Sequence, residues 1–472
     1  MKKIILLGIL IGILFFSACQ EWLNVTPKTD IETADFFNSE DGFKSAITGI
    51  YGRMTKEDLY GQNLSFLFLE RLAQRYDNNP QETEKDRREL YNYQFTQTSK
   101  NQIADIWKGM YKDIANINNL LGYLETHGQN IKTPGYFELI KGEVLGLRAF
   151  HYFDLLRMWG PVNYEKNQSV KVLPWRDRFT PDKVPLMRAD SVVGHILADL
   201  KSAETLLKND PMDYLHNGKE PFIGYRQHRM NLYAVKALMA RVYLWTGNRE
   251  EARKKASEVL EKCGLTLVRD NQKDQTCFKE TLFALNMYDM EKKLEGYFST
   301  QPGLNPQHLW VSIRDVADVY EGNSIGINDI RYKGGYGFLK IENDQKAITR
   351  KYLVLSNGSN NEKIPLIRLS EMYYILAETL PLSEAATPFN TVRNARGISR
   401  NHNLRFIDEN QRQEELKKEY QKDFYAEGQF FYYLKHINAR TFHRCPFEDG
   451  MKEAYYVFPI PDDEVEFGLV DE

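Results

Sequence analysis

Cysteine is scarce in this chain: four in 472 residues, at Cys19, Cys263, Cys277 and Cys445. No two are spaced as C-x-x-C, and none of the nine histidines forms an H-E-x-x-H pair, so the standard zinc signatures are missing. A G-x-x-x-x-G-K-[ST] phosphate loop is missing too. Neither sign of charge is in excess: the formal net charge is −3, and no basic cluster stands out. A nucleic-acid footprint, which needs clustered basic residues, is therefore excluded. After the first 20 or so residues no apolar run approaches the ~20 residues that a spanning helix needs. One catalytic pattern does occur. Gly322-Asn323-Ser324-Ile325-Gly326 fits G-x-S-x-G, the nucleophile elbow of a hydrolase. That elbow needs a strand before it and a helix after it. Here Ile327 to Arg331 runs into Gly334-Gly335, a poor helix, so the match reads as a turn. Carboxylates are plentiful, but a glycosidase pair is defined by separation in space. The residues call for no cofactor, no metal and no catalytic set.

The N-terminus is more specific. Lys2 and Lys3 precede an apolar run from Ile4 to Phe16, then the small residues Ser17 and Ala18, then Cys19. These are the three zones of a secretory signal. Phe16-Ser17-Ala18-Cys19 resembles the bacterial lipobox, with Phe16 where Leu is usual. Residues 1–18 thus read as a lipoprotein signal peptide and Cys19 as the lipidation site. Several acyl chains on one cysteine give a stable membrane anchor.

Residues 19–472 form the body. One hydrophobic core stops growing near ~250–300 residues, so the body is two modules or one extended, repeat-like scaffold. Helical periodicity dominates. It predicts helices over Asp41–Met54, Ile103–Leu124, Tyr136–Trp159 and Ser191–Lys208. Tyr136–Trp159 is apolar on most faces, which marks an interior helix, and Gly160-Pro161 stops it. Asn231–Lys262 carries small and large apolar residues on two helices joined by Thr246-Gly247-Asn248. That unit resembles a tetratricopeptide repeat, and similar pairs are read in 103–159, 365–396 and 411–436. The expected fold is all-α, a scaffold of tetratricopeptide-like helical pairs. Two segments break the pattern: 163–186, and about 265–365, which is rich in Gly, Asn, Pro and aromatics. Such long irregular stretches are usually functional or disordered, and the aromatics argue against disorder. Cys263 and Cys277 are close enough in sequence to close a short loop, or are small buried side chains.

Several passages, in order, resemble the SusD/RagB family of outer-membrane nutrient-binding lipoproteins. They are Trp22-Leu23-Asn24-Val25-Thr26-Pro27, Thr33 to Phe37 and Ala46 to Tyr51; then Leu147 to Leu155 with Trp159-Gly160-Pro161-Val162. Later come Pro365 to Tyr373 with Ala377-Glu378, Phe424-Tyr425-Ala426-Glu427-Gly428, and Phe458-Pro459-Ile460-Pro461. Pro365 to Tyr373 is similar to a late family helix. The family tends to place Arg and Asp where Phe430 and Tyr433 stand, so an ion pair is lost and aromatic packing takes its place. The resemblance implies a surface-facing, lipid-anchored outer-membrane protein. It would bind a glycan or oligosaccharide and deliver it to a SusC/RagA-type TonB-dependent barrel, which it caps as a lid. The alternatives are a peptide-binding member of the family, a tetratricopeptide-type envelope adaptor and a surface hydrolase.

A sugar or peptide site needs exposed aromatics beside polar groups. Helical aromatics are explained by packing, so the candidates lie outside the helices. Two stretches qualify: Arg75 to Asn79, with Tyr76, Asp77 and Asn78, and the stretch holding Trp310, Tyr320, Arg331, Tyr332 and Tyr336. In resembling proteins the ligand sits on the loop-bearing side, so the two stretches are expected to converge. The competing expectation is that Trp310 and Tyr332 only pin the irregular region to the helices.

Overall fold

Ser39 accepts a hydrogen bond from the Gly42 N–H at 3.3 Å and so starts the first helix, α1 (Glu40–Met54). The computed structural model describes residues 35–77, 85–215, 217–270, 274–298, 308–333, 337–341, 343, 345–352 and 362–468. Cys19, Asn78 and Tyr336 lie outside the described residues. In chain order follow α2 (Phe68–Leu72), α3 (Lys85–Tyr91), α4 (Gln97–His127), α5 (Tyr136–Trp159), α6 (Tyr164–Asn167), α7 (Ala189–Leu206), α8 (Leu232–Trp245) and α9 (Arg249–Lys262). Then come α10 (Met290–Phe298), α11 (Ile313–Val319), α12 (Leu369–Thr379), α13 (Leu382–Ala395), α14 (Glu409–Asp423) and α15 (Gln429–His436). No described helix is long and apolar enough to cross a membrane.

The four expected helical pairs are present as α4–α5, α8–α9, α12–α13 and α14–α15. In α8 the small residues Ala234, Ala237 and Ala240 are fully buried, and α9 meets them with Ala252, Ala256 and Val259. Small side chains on both partners let the two backbones close. Gly247 turns the chain at φ 81, and Asn248 caps α9 by accepting from the Glu251 N–H at 3.2 Å. α5 is buried around its whole circumference from Leu147 to Gly160 save Arg148. His151 within it is a satisfied core residue: Nδ1 faces the Leu147 carbonyl at 2.7 Å and Nε2 faces Asp113 at 3.2 Å. Where an ion pair was expected to be lost, the rings take over. Tyr433 stacks on Tyr420 at 3.7 Å, and Phe430 meets Phe442 edge-on.

The segments without helical period hold more regular structure than their composition suggests. Within 163–186, α6 and β1 (Lys171–Pro174) form, and β1 pairs with β2 (Leu186–Arg188). Within 265–365, β3 (Thr281–Asn286) pairs antiparallel with β7 (Lys363–Arg368). β4 (Val311–Ser312), β6 (Lys346–Thr349) and β5 (Phe338–Ile341) form a second, three-stranded sheet in the order β4-β6-β5. Pro365 to Arg368, expected as the start of a late helix, is strand β7, and the helix begins at Leu369. Proline is tolerated there because β7 pairs with β3 alone. Cys263, Cys277 and Cys445 are all free thiols.

The Phe424 to Gly428 passage has a physical reason. Glu70 accepts the Ala426 and Gly428 N–H groups, each at 2.9 Å. Gly428 has φ 72, and a Cβ there would lie 2.4 Å from the Leu64 carbonyl oxygen. Glu427 takes Lys351 and Arg368. One short turn thus ties together α2, β7 and the chain that leaves β6.

Candidate ligand-binding site

The two stretches converge through the backbone. Trp310 directly precedes β4, and its carbonyl accepts the Asp77 N–H at 2.9 Å. β6 pairs along the other edge of β4, with Val311 opposite Ala347 and Ser312 opposite Lys346. Ser312 then caps α11: its Oγ accepts the Asp315 N–H at 3.0 Å and donates to Asp315 Oδ2 at 2.7 Å. This fixes Asp315 beside the strand. Upstream, the Leu309 N–H donates to the Tyr297 carbonyl at 2.8 Å, which brings the end of α10 to the same edge.

A third segment, 437–451, completes the surface. It leaves α15 with the Ala439 N–H on the Leu434 carbonyl and closes with the Met451 N–H on the Arg440 carbonyl at 2.7 Å. Between those points Arg444 sits at φ 66 and pairs with Asp77 at 2.5 Å. Its neighbour His443 lies 3.4 Å from Asp315. Burial pushes the Asp77 carboxyl up, while Arg444 pulls it back and Asp315 opposes. Burial likewise pulls the His443 imidazole down, and Asp315 works against that shift. The Lys346 ammonium stands 4.7 Å above the half-buried Trp310 indole.

The remaining expected site residues are placed differently. Tyr76 is 2% exposed and donates its hydroxyl to the Phe66 carbonyl at 2.7 Å. Tyr320 is equally buried and donates to the Lys422 carbonyl at 2.8 Å. Arg331 is committed to Asp329, Glu419 and Asp423. These three polar groups are satisfied inside the fold, while the Tyr320 ring also lines a small cavity with Arg75, His443 and Arg444. Tyr332 is half-buried under the Lys340 ammonium and stacks on Tyr320 at 6.1 Å. The register pairs Lys340 with Ala347 and Ile341 with Lys346. Successive residues alternate faces, so Tyr332 and Trp310 are carried on opposite faces of the β5–β6 pair. The structure therefore brings together Asp77 and Trp310 but not Tyr332. Arg444, His443, Asp315 and Lys346 were missed by the sequence reading. The one signal for the first two was a polar, aromatic-bearing stretch without helical period after α15.

Ser324, at the centre of the G-x-S-x-G match, is exposed in a turn, its hydroxyl on the Glu321 carbonyl at 3.2 Å. Helix α11 precedes it where an elbow requires a strand. No group of three or more His, Cys, Asp or Glu that could hold a metal ion occurs among the described residues.

Comparison with known proteins agrees with this architecture. A family model described as SusD-like, "Starch-binding associating with outer membrane", matches residues 21–244. A SusD-like protein of Bacteroides ovatus is 27% identical over 270 residues, 54% of this chain and 44% of that one. SusD-like protein P25 of Formosa agariphila is 24% identical over 205 residues, 40% of this chain and 35% of that one. The matched stretches thus span less than half of either relative. Among solved structures, a SusD superfamily protein from Bacteroides thetaiotaomicron superposes with a TM-score of 0.72 at 19% identity, covering 91% of this chain and 98% of that one. A SusD-like carbohydrate binding protein from Bacteroides vulgatus gives 0.70 at 16%, covering 91% and 96%. The likeness to these structures is one of fold.

Proposed function

We propose that this chain, matched over residues 21–244 by a SusD-like family model, is a member of the SusD/RagB family: a lipid-anchored outer-membrane protein that binds an oligosaccharide and passes it to a TonB-dependent barrel. One observation carries the binding part. The Asp77–Trp310 backbone bond joins a half-buried indole, topped by the Lys346 ammonium, to the strand edge that carries the Asp77 carboxylate and its Arg444 guanidinium. A sugar presents an apolar face edged by hydroxyls, and that combination of ring and fixed polar groups suits it. The arrangement suits binding, and the Ser324 hydroxyl is turned to the Glu321 carbonyl.

The test is substitution. Trp310→Ala should weaken oligosaccharide binding by ~1–3 kcal/mol, the contribution of one aromatic hot spot, and leave the melting temperature nearly unchanged. Calorimetric titration against a glycan panel measures the first and thermal denaturation the second. A loss of stability with affinity spared would make the indole a packing residue. Anchoring through Cys19 is checked by mass spectrometry of the mature N-terminal peptide, where an unmodified cysteine would overturn it. A barrel partner should copurify from native membranes. Recovery of the protein alone, under solubilisation that keeps other barrel complexes intact, counts against it.

A further inference from the structure

At the Asp77 edge of β4 lies a small, partly open cavity of about 20 Å³, room for one small group, lined among others by Arg75, Asp315, Tyr320, Tyr425, His443 and Arg444. Its polar lining is short of acceptors. Arg75 Nε, His443 Nε2 and Arg444 Nη1 are all buried nitrogens without a hydrogen-bond partner. The carboxylates nearby do not meet the need. Glu70 stands 3.6 Å from Arg75 Nε, and Asp315 stands 3.4 Å from His443 Nε2 outside bonding geometry. Arg444 gives its Nη2 to Asp77 and leaves Nη1 unused. Buried polar groups are almost always paired, and an unpaired one carries a real penalty. Two guanidinium donors without partners on one cavity, with the His443 imidazole beside them, call for an acceptor with several lone pairs and a negative charge. A carboxylate fits, since Arg recognises it through charge-assisted hydrogen bonds. The Arg75 side chain is 3% exposed and forms the inner part, while His443 at 35% and Arg444 at 22% stand nearer the mouth.

We propose that this cavity is an acidic-sugar subsite, seating the carboxylate of a uronic acid against Arg75, His443 and Arg444. The proposal rests on the oligosaccharide reading above and narrows it to acidic glycans. Val311 lines the cavity and Trp310 directly precedes it in extended backbone that bonds Asp77, so the indole and the cavity lie on alternate sides of this edge. An oligosaccharide that straddles the Asp77 edge reaches both.

The experiment compares oligogalacturonate with neutral maltoheptaose by calorimetric titration on the full-length protein, wild type and Arg444→Gly. Glycine suits the backbone at φ 66, so the substitution removes the guanidinium without straining the turn. Wild type should prefer the acidic ligand, and Arg444→Gly should lose on the order of tenfold in affinity for it, the worth of one charge-assisted hydrogen bond. His443→Gln should shift the preference in the same direction and serves if the first variant does not fold. Arg314→Gln, whose side chain is 91% exposed on α11, controls for net charge and should change nothing. Equal affinity for the two ligands, or equal losses for both in Arg444→Gly, would overturn the acidic subsite and leave the oligosaccharide reading standing. Binding of neither ligand, nor of any other glycan in the panel, would overturn both.

Discussion

Arg396→Leu should lower the unfolding free energy by ~3–5 kcal/mol, the loss expected when one partner of a buried ion pair is removed. Arg396 is fully buried at the end of α13 and uses every face of its guanidinium. Nε donates to Asp423 at 2.8 Å, Nη1 to the Val268 carbonyl and Glu280 at 2.9 Å each, and Nη2 to Glu280 at 2.5 Å. Arg368 from β7 shares the same two carboxylates, and Arg331 shares Asp423. Asp423 is held well below the usual carboxylate range: burial pushes it up, but Arg368, Arg396 and Arg331 together outweigh burial. The network is thus the joint between the helical pairs and the sheet-bearing segment. Leucine would leave Glu280 and Asp423 short of a counter-charge with no water to replace it. It would also loosen the Ile330 N–H, which rests on the Arg396 carbonyl at 2.8 Å. Urea denaturation measures the loss. Adding Glu280→Gln should bring the total below the sum of the two single effects, because the neutral amide no longer needs the missing cation. A loss no larger than that of exposed Arg314→Leu would show that the joint does not depend on this charge.

The helical pairs were legible because their apolar residues repeat at helical spacing and their turns carry Gly247 or Gly160-Pro161. The sheets were not. β4 is two residues long and β5 and β6 four each, too short for alternation to stand out. Leu366 and Ile367 ran on into the apolar start of α12, which hid the change from strand to helix. The approach of Asp77 to Trp310 was legible because a ring and polar groups outside helices lack a packing reason of their own. Tyr76, Tyr320 and Arg331 had the same sequence character but commit their polar groups to partners inside the fold, and such commitments are set by contacts the chain order does not reveal. Arg444 was further out of reach. Its partner Asp77 lies 367 positions earlier in the sequence, and a left-handed turn aims it.

Lowering the pH should separate wild type from His228→Gln by about 2 kcal/mol between pH 8 and pH 5. His228 covers the edge of β3 that β7 leaves free, with Nδ1 facing the Ala284 carbonyl at 3.2 Å. Facing an acceptor, that nitrogen carries the hydrogen. The ring stacks on Phe278 at 4.9 Å. Burial pulls its pKa from 6.5 to about 4, Lys363 and Arg229 add to the shift, and the Ala284 carbonyl opposes it. The unfolded chain therefore takes up the proton first. The stability that His228 contributes is present above pH 6.5 and drains away as the pH falls toward 4, by about 3 kcal/mol in full. Other groups titrate in the same window. His443, also pulled down by burial, acts in the same direction. Glu70, raised to about 7 by burial, acts in the opposite one, since the folded state holds its proton more tightly. Both are common to the two proteins and cancel in the comparison. Glu419 is lowered to about 2, because Arg331 and Lys422 outweigh its burial, and its contribution is lost only below the window. Glutamine at 228 keeps a donor for Ala284 and cannot be protonated, so the variant should gain on wild type as the pH falls. Urea midpoints for the two proteins at half-unit steps give the difference directly. A gap that stays constant from pH 8 to pH 5 would mean that His228 is solvated enough to titrate normally and that the free edge of β3 is open to water.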